Sequence, residues 1–204
     1  MQANQTQPEE KPATTRKNKI TLLLVIAACA APLIFSYLTY YVIKPESRTN
    51  YGALIDPRAH PIPTLSLKTL DGQPADLHQY QGKWIFLMVD GAACDKACKE
   101  KLFYMRQIRL TQGKEMDRIE RVWLVTDTVP LETVLMREYD GTHLLRAKSE
   151  ELRAWLPTET ETKIENHLYM IDPLGNLMMR FPQSGDPNKI KKDIIKLLKA
   201  SRIG

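Results

Sequence analysis

The sequence contains few cysteines and few glycines, and its net charge is small. It contains only three Cys and nine Gly among 204 residues, which excludes a disulfide-rich miniprotein and a collagenous chain. The net charge is only +5, and much of the positive charge lies at the two ends rather than in one stripe. This distribution argues against a nucleic-acid partner. Because domains usually contain about 100–200 residues, the chain has room for one domain and an appendage.

One long segment near the N-terminus contains no charged residue, from Ile20 to Ile43. A helix of that length would span about 36 Å, and the hydrocarbon core of a bilayer is about 30 Å thick. The sequence therefore predicts a transmembrane helix over residues 20–43, preceded by a polar cytoplasmic tail over residues 1–19. The positive-inside rule places this tail in the cytoplasm and the C-terminal part in the periplasm, because basic residues directly precede the segment: Arg16, Lys17 and Lys19. The protein is thus expected in the inner membrane with a single span.

Two other interpretations of this segment stay open. A cleaved signal peptide usually has an apolar core of only about 7–15 residues, and this segment is longer. Residues 26–29, Ile-Ala-Ala-Cys, resemble a bacterial lipobox. The apolar residues that continue after Cys29 favour a membrane-spanning helix over a lipidated N-terminus.

The exported part is predicted to consist of a tether and one α/β domain. Residues 44–63 contain four prolines without periodicity and are interpreted as the tether, and the domain is placed at residues 64–204. Strands alternate with helices, then a hairpin and an amphipathic helix follow, which indicates a mixed sheet. The predicted strands lie at 65–68, 84–89, 122–125, 168–171 and 177–181, and the predicted helices near 98–109, 130–139, 149–155 (with Ser149 as N-cap) and from Asp186 onwards.

Cys94 and Cys98 lie between the buried strand at 84–89 and the following helix. Backbone N–H groups at a helix N-terminus stabilise thiolates. Two side chains four residues apart in regular helix are too far apart for a disulfide, so Cys94 is expected on the loop or the first turn. The pair allows a reversible disulfide or a soft metal such as Cu(I), and a purely structural disulfide or two inert thiols stay open as well.

Several motifs in this order resemble the thioredoxin-like SCO/SenC proteins of cytochrome oxidase assembly. The resemblance runs from about Leu65 to Phe181 and is carried by the following segments: Leu70-Asp71-Gly72-Gln73-Pro74, Gly82-Lys83-Trp84, the Cys-x-x-x-Cys, Thr126-Asp127, and Tyr169-Met170-Ile171-Asp172-Pro173-Leu174-Gly175. It implies a thioredoxin-like domain anchored by one membrane helix.

The resemblance also implies a function at the cysteine pair. SCO/SenC proteins bind copper through their two Cys and one later His, and they deliver it to the oxidase or reduce the thiols of its copper site. In this sequence the family's histidine position is occupied by Ile164, and the nearest histidine is His167. The expected redox residues are therefore Cys94 and Cys98, and the expected copper ligands are Cys94, Cys98 and His167. The expected partner is an oxidase subunit or another membrane protein.

Two other functions stay open beside oxidase assembly. The first is a general thiol-disulfide oxidoreductase similar to the TlpA or ResA type, in which Cys94 attacks a partner disulfide and Cys98 resolves the intermediate. The second is a non-catalytic assembly scaffold on a degenerate thioredoxin-like fold.

Overall fold

The computed structural model describes residues 14–43 and 50–203, with side chains described over 18–41 and 50–203. The chain divides into two compact units, and the second begins at Thr49. Most of the predicted cytoplasmic tail, residues 1–13, lies outside the described residues.

The first unit is a single helix, α1 (Thr14–Leu38), which continues as a wider helical turn over Thr39–Ile43. Its segment Asn18–Tyr41 has a mean hydropathy of 2.3 and no buried residue. By length and composition this is one helix that can cross a membrane, as predicted, although it begins before residue 20. Within the part of the chain that the structure describes, no other helix meets these criteria.

The second unit is built on one mixed sheet of eight strands, so the predicted α/β architecture is confirmed. The strands lie side by side in the order β1-β8-β7-β4-β5-β6-β2-β3, and only the β4–β5 and β5–β6 pairs are parallel. The strands are β1 (Ala53–Leu54), β2 (Leu67–Thr69), β3 (Pro74–Ala75), β4 (Trp84–Asp90), β5 (Ile119–Val125), β6 (Thr142–Arg146), β7 (Leu168–Ile171) and β8 (Leu177–Phe181).

The middle of the sheet is buried on both faces, which explains the continuous apolar segment of β4. Phe86 and Met88 face one hydrophobic cluster, whereas Ile85 and Leu87 face the other. Four helices of the domain are described: α2 (Lys96–Leu110), α3 (Thr133–Glu138), α4 (Ser149–Trp155) and α5 (Pro187–Ala200). Helices α2, α3 and α5 contribute buried side chains to the first cluster and α4 to the second.

The predicted tether is partly built into the domain. Strand β1 pairs with β8, and Pro61 bridges to Asn176. Ile62 is buried in the second cluster. The described part of the segment, residues 50–63, therefore belongs to the domain, whose compact unit starts earlier than residue 64.

Several local features differ from the predictions; strands β1 and β3, for example, were not predicted. The strand β6 at Thr142–Arg146 was not predicted, and it completes the parallel part of the sheet. The helix predicted over 130–139 is shorter, at Thr133–Glu138. Ser149 is the first residue of α4 rather than its N-cap, because Lys148 occupies the capping position.

Candidate functional site

Cys94 and Cys98 form a disulfide at the junction of β4 and α2. Their Cα atoms are 5.1 Å apart, within the range in which a disulfide forms. Cys94 lies in the loop before α2, as expected, and Cys98 lies in the first turn of the helix. Cys94 is 5% exposed and Cys98 is fully buried. Of the two cysteines, Cys94 is therefore the one with any exposure.

The start of α2 is fixed by Asp95 between the two cysteines. Its carboxylate accepts a hydrogen bond from the backbone N–H of Cys98, at 2.9 Å. A carboxylate at a helix N-terminus both caps the helix and interacts favourably with its dipole. Asp95 thus holds Cys98 within the first turn and sets the geometry in which the sulfur of Cys94 reaches it.

Asp127, which lies two residues after the neighbouring strand β5, holds the loop that leads to Cys94. One oxygen of its carboxylate accepts a hydrogen bond from the N–H of Ala92 (3.0 Å), and the other accepts from the N–H of Val129 (3.1 Å). A Cβ atom on Gly91 would lie 2.7 Å from this carboxylate. Glycine at position 91 therefore allows Asp127 to approach the backbone of the cysteine loop.

We expect the Asp127→Ala substitution to lower the free energy of unfolding by about 1–3 kcal/mol, because two backbone N–H groups lose their acceptor. The measurement is urea unfolding of the full chain in detergent. Asp117→Ala is the matched control: its side chain is 80% exposed and forms an ion pair with Arg109 at 3.3 Å, so the expected change is below about 0.5 kcal/mol. Equal effects of the two substitutions would contradict a role of Asp127 in fixing the loop.

A groove of about 430 Å³ lies beside the first half of α2; Asp95 and Ala97, between the two cysteines, line it, whereas Cys94 and Cys98 do not. Its floor contains Lys101, whose ammonium group donates to the carboxylate of Asp90 at 2.7 Å and to the backbone carbonyl of Glu165. These contacts join the end of β4, the helix of the cysteine pair and the loop before β7. Asp95, Glu100 and Glu165 also line the groove, so the acidic side chains in its lining outnumber the one basic side chain, Lys101.

His167 lies directly before β7 and is fully buried. Its Nε2 is 2.7 Å from the hydroxyl of Thr162, and its Nδ1 is 2.9 Å from the backbone carbonyl of Phe181. Both ring nitrogens therefore have partners other than the disulfide. Among the residues that the structure describes, no three His, Cys, Asp or Glu side chains form a group that could hold a metal ion. The donor set Cys94, Cys98 and His167 does not fit a three-ligand copper site in the disulfide form.

The buried position of His167 predicts a pH-dependent stability. Burial lowers the pKa of His167 below its ordinary value of 6.5, although the carbonyl of Phe181 opposes this shift. The unfolded chain therefore takes up this proton first as the pH falls. Consequently, the contribution of His167 to stability is complete above about pH 6.5 and decreases below it.

We expect the wild-type chain to lose more stability between pH 7.5 and pH 5 than the His167→Gln variant, which has no titrating group at this position. The measurement is the free energy of unfolding against pH for both proteins. The same pH dependence in both would show that His167 does not titrate differently in the two states.

The amino-acid sequence of the second unit matches the model of a known protein family. A family model described as the transmembrane-like, thioredoxin-like, C-terminal domain matches residues 84–201, more than half of the chain. The chain belongs to this family. The matched segment begins at the first residue of β4 and therefore contains the disulfide, helices α2 to α5 and strands β4 to β8, but not strands β1 to β3. No curated protein matches the chain by sequence.

Solved structures of Sco proteins share the thioredoxin-like fold of this family. Copper-bound yeast Sco1 has 13% identity and a TM-score of 0.54, over 74% of this chain and 90% of Sco1. A SCO1/SenC family lipoprotein from Bacillus anthracis has 19% identity and a TM-score of 0.53, over 72% and 98% of the two chains. BsSco, described as a cytochrome c oxidase assembly protein with a disulfide switch, has 14% identity and a TM-score of 0.51, over 72% and 96%. The predicted fold resemblance to SCO/SenC proteins is thereby confirmed.

Asp127 and Lys101, which position the cysteine loop and the helix, were not assigned a role from sequence. Asp127 comes two residues after the end of β5. Because β4 and β5 are parallel, their carboxyl ends lie at the same edge of the sheet, so its position in sequence could have placed Asp127 near the loop that follows β4. Lys101 gives no such signal, because a lysine on a helix is most often exposed.

Proposed function

We propose that this protein is a membrane-anchored, Sco-like thiol-disulfide exchange protein that acts in cytochrome c oxidase assembly. The observation that carries the proposal is the Cys94–Cys98 disulfide at the start of α2, in which only Cys94 has any exposure. The proposed arrangement has the N-terminus in the cytoplasm, one membrane span and the domain in the periplasm, where thiols and disulfides exchange. The proposed partner is an oxidase subunit or another membrane protein.

The difference in exposure between Cys94 and Cys98 supports the following order of the exchange steps. The thiolate of reduced Cys94 attacks a partner disulfide, which forms a mixed disulfide and releases one partner thiolate. The thiolate of Cys98 then attacks the sulfur of Cys94, which forms the Cys94–Cys98 disulfide and releases the second partner thiolate. Two electrons pass to the partner, and the two thiol protons of the cysteine pair end on the partner thiols. A dithiol donor must then reduce the pair again.

The acidic side chains of the groove beside α2 favour a positively charged partner segment. Asp90 is paired with Lys101 inside it, but Asp95, Glu100 and Glu165 also line it. Charge complementarity therefore favours a partner segment that carries Lys or Arg next to its cysteines.

Copper transfer is the second candidate function. The observation in its favour is that the reduced pair would supply two thiolates, the soft donors that Cu(I) prefers, on the fold shared with copper-bound yeast Sco1. Copper would then be cargo, held by Cys94 and Cys98. His167 would join them only after leaving Thr162 and Phe181.

Two assays on the reduced full chain in detergent separate these functions. In the first, the chain is mixed with a peptide that contains a disulfide flanked by lysines, and the peptide thiols are measured over time. In the second, Cu(I) is titrated into the chain against a competing chelator, with the His167→Gln variant in parallel. Thiol release without tight Cu(I) binding supports exchange, and stoichiometric Cu(I) binding without thiol release supports copper transfer.

A peptide with the same disulfide flanked by glutamates is the matched control for the groove. We expect it to react more slowly, because its charges repel the acidic lining. If neither peptide is reduced and Cu(I) is not bound, the proposal fails and the scaffold interpretation takes its place. Reduction of many unrelated protein disulfides at equal rates would instead indicate a general oxidoreductase of the TlpA or ResA type.

A further inference from the structure

Helix α5 exposes its positive charge along one side. Its exposed charged residues, here called the lysine face, are Lys189, Lys192, Lys196 and Lys199. Their spacing of three or four residues places them on one side of the helix, over about 15 Å of its length. Arg202, which is also exposed, lies shortly after the end of the helix. The domain therefore presents a stripe of positive charge at its C-terminal helix.

The opposite side of α5 is part of the core. Ile190, Ile194 and Leu198 are buried in the first hydrophobic cluster. Amphipathic helices that insert into lipid do so with a free apolar side, and that of α5 is already buried. A partner of the lysine face is therefore attracted by charge.

The acidic residues of α5 leave part of this charge unpaired. Asp193 is only 2% exposed and pairs with Lys196 at 3.3 Å. Asp186, which caps the start of the helix, lies 4.0 Å from the ammonium group of Lys189. Within residues 50–203, the other two lysines of the face form no ion pair. Their ammonium groups are available to an anionic partner.

The segment beside the end of α5 adds no net negative charge. In this segment, Gly113–Arg118, the guanidinium of Arg118 donates to the carbonyl of Leu198 (3.0 Å) and to the carboxylate of Glu115 (2.8 Å). Lys114 and Asp117 belong to the same segment, so its acidic and basic residues balance.

The acidic groove beside α2 lies on another side of α5. Ile190 lines that groove. At about 100° per residue, Ile190 and Lys192 are about 160° apart around the helix axis. A surface that contacts the lysine face therefore faces away from the groove and its carboxylates.

The chain enters the domain beside the first turns of α5. The backbone N–H of Tyr51 donates to the carboxylate of Asp193 (2.6 Å), and the Tyr51 hydroxyl donates to the carbonyl of Ser184 (3.1 Å). The ammonium group of Lys189 lies 5.2 Å from the centre of the Tyr51 ring. The entry segment is thus packed against the helix that carries the lysine face.

The connection to the membrane helix is short. Only residues 44–49 separate Ile43, where the helical turn after α1 ends, from Asn50, the first described residue of the domain. An extended chain covers about 3.5 Å per residue, so this connection spans at most about 25 Å. The point at which the chain enters the domain therefore stays near the membrane.

We propose that the lysine face of α5 binds the anionic lipid surface of the membrane in which α1 is anchored. The proposal rests on the membrane anchor and not on the exchange reaction. Each Lys or Arg near an anionic lipid surface strengthens binding roughly fivefold, and the short connection keeps α5 at a high effective concentration beside that surface. Bound in this way, the domain holds its acidic groove away from the lipid, open to a partner segment.

The test is acetylation of lysines in the full chain in nanodiscs, with a limiting amount of an uncharged reagent and mass spectrometry of the modified sites. One set of discs contains phosphatidylcholine alone, and the other also contains phosphatidylglycerol. We expect the lysine face to react about threefold or more slowly in the anionic discs. Lys68 and Lys163, which are exposed elsewhere on the domain, should react equally in both. Salt at about 1 M, where the Debye length is about 3 Å, should remove the difference.

A double charge reversal, Lys192→Glu/Lys199→Glu, tests the same contact. Both residues are exposed, so the variant is expected to fold, which circular dichroism checks. The two remaining lysines of the face should lose their protection in the anionic discs. Lys68→Glu/Lys163→Glu is the matched control and should leave that protection unchanged.

Equal reactivity of the lysine face in both sets of discs would overturn the proposal. It would also be overturned if Lys68 and Lys163 were slowed to the same extent, or if the protection survived the double charge reversal. A chain that does not copurify with the discs would overturn the anchor and this proposal together. The thiol-exchange assay in detergent would still decide the proposed function.

Discussion

A Cys98→Ser variant of the full chain is expected to accumulate a covalent mixed disulfide with its partner protein. Cys94, the more exposed of the two, would still attack the partner disulfide, but the thiolate that resolves the intermediate would be missing. Turnover of a disulfide substrate should fall to the background rate. The measurement is a non-reducing gel of membranes from cells that make the variant, followed by identification of the trapped protein.

Two variants serve as controls for this trap. Cys94→Ser should trap nothing and should also lack turnover, because Cys98 is fully buried. Cys29→Ser removes the exposed free cysteine of α1 and should leave exchange unchanged. If Cys94→Ser traps a partner as efficiently as Cys98→Ser does, the assigned order of attack is wrong.

An Asp193→Ala variant is expected to lower the free energy of unfolding by about 2–4 kcal/mol. Asp193 is only 2% exposed on α5, and its carboxylate accepts hydrogen bonds from the N–H groups of Tyr51 (2.6 Å) and Gly52 (2.9 Å). Alanine would leave two N–H groups without their acceptor next to strand β1. The measurement is the midpoint of urea unfolding of the full chain in detergent.

Lys192→Ala is the matched control, since Lys192 is exposed on the same helix. Its expected effect is within about 0.5 kcal/mol. A small effect of Asp193→Ala, similar to that of Lys192→Ala, would mean that residues 50–63 contribute little to the domain. The interpretation of this segment as a tether would then be favoured again.

The elements with a continuous or periodic apolar pattern were predictable from sequence. Residues 84–89 of β4 and residues 122–125 of β5 are buried on both faces and therefore appear as unbroken apolar segments. Helix α2 and helix α5 repeat their buried side chains at helical spacing. These apolar patterns arise because the side chains concerned are buried in the two hydrophobic clusters on either face of the sheet.

The elements at the sheet edge were less predictable. Strand β6 has only one fully buried residue, Leu145, so its sequence shows no clear alternation. Strand β1 is two residues long, and Asp193 of α5 accepts hydrogen bonds from the two residues before it, Tyr51 and Gly52. That contact joins residues that are far apart in sequence, so local pattern could not indicate that residues 50–63 are part of the domain.

The cysteine pair was predictable, but its surroundings were predictable only in part. From the position of Cys94 and Cys98 after a buried strand, a disulfide with Cys94 outside regular helix was one of the expected forms of the pair, beside metal binding. The partners of His167, Thr162 and Phe181, depend on how a loop and a hairpin pack. Arg121 is buried on the face of β5 that also carries Ile119 and Trp123, where an apolar residue would be expected.

The reduction potential of the Cys94–Cys98 pair in the full chain tests the central claim most directly. The chain would be equilibrated with glutathione buffers of known potential, and the reduced fraction would be measured by thiol alkylation, with Cys29→Ser as the background. The exchange function predicts a reversible two-electron transition at a potential above about −300 mV. A disulfide that stays oxidised below about −300 mV is structural, and this result would contradict the proposed function.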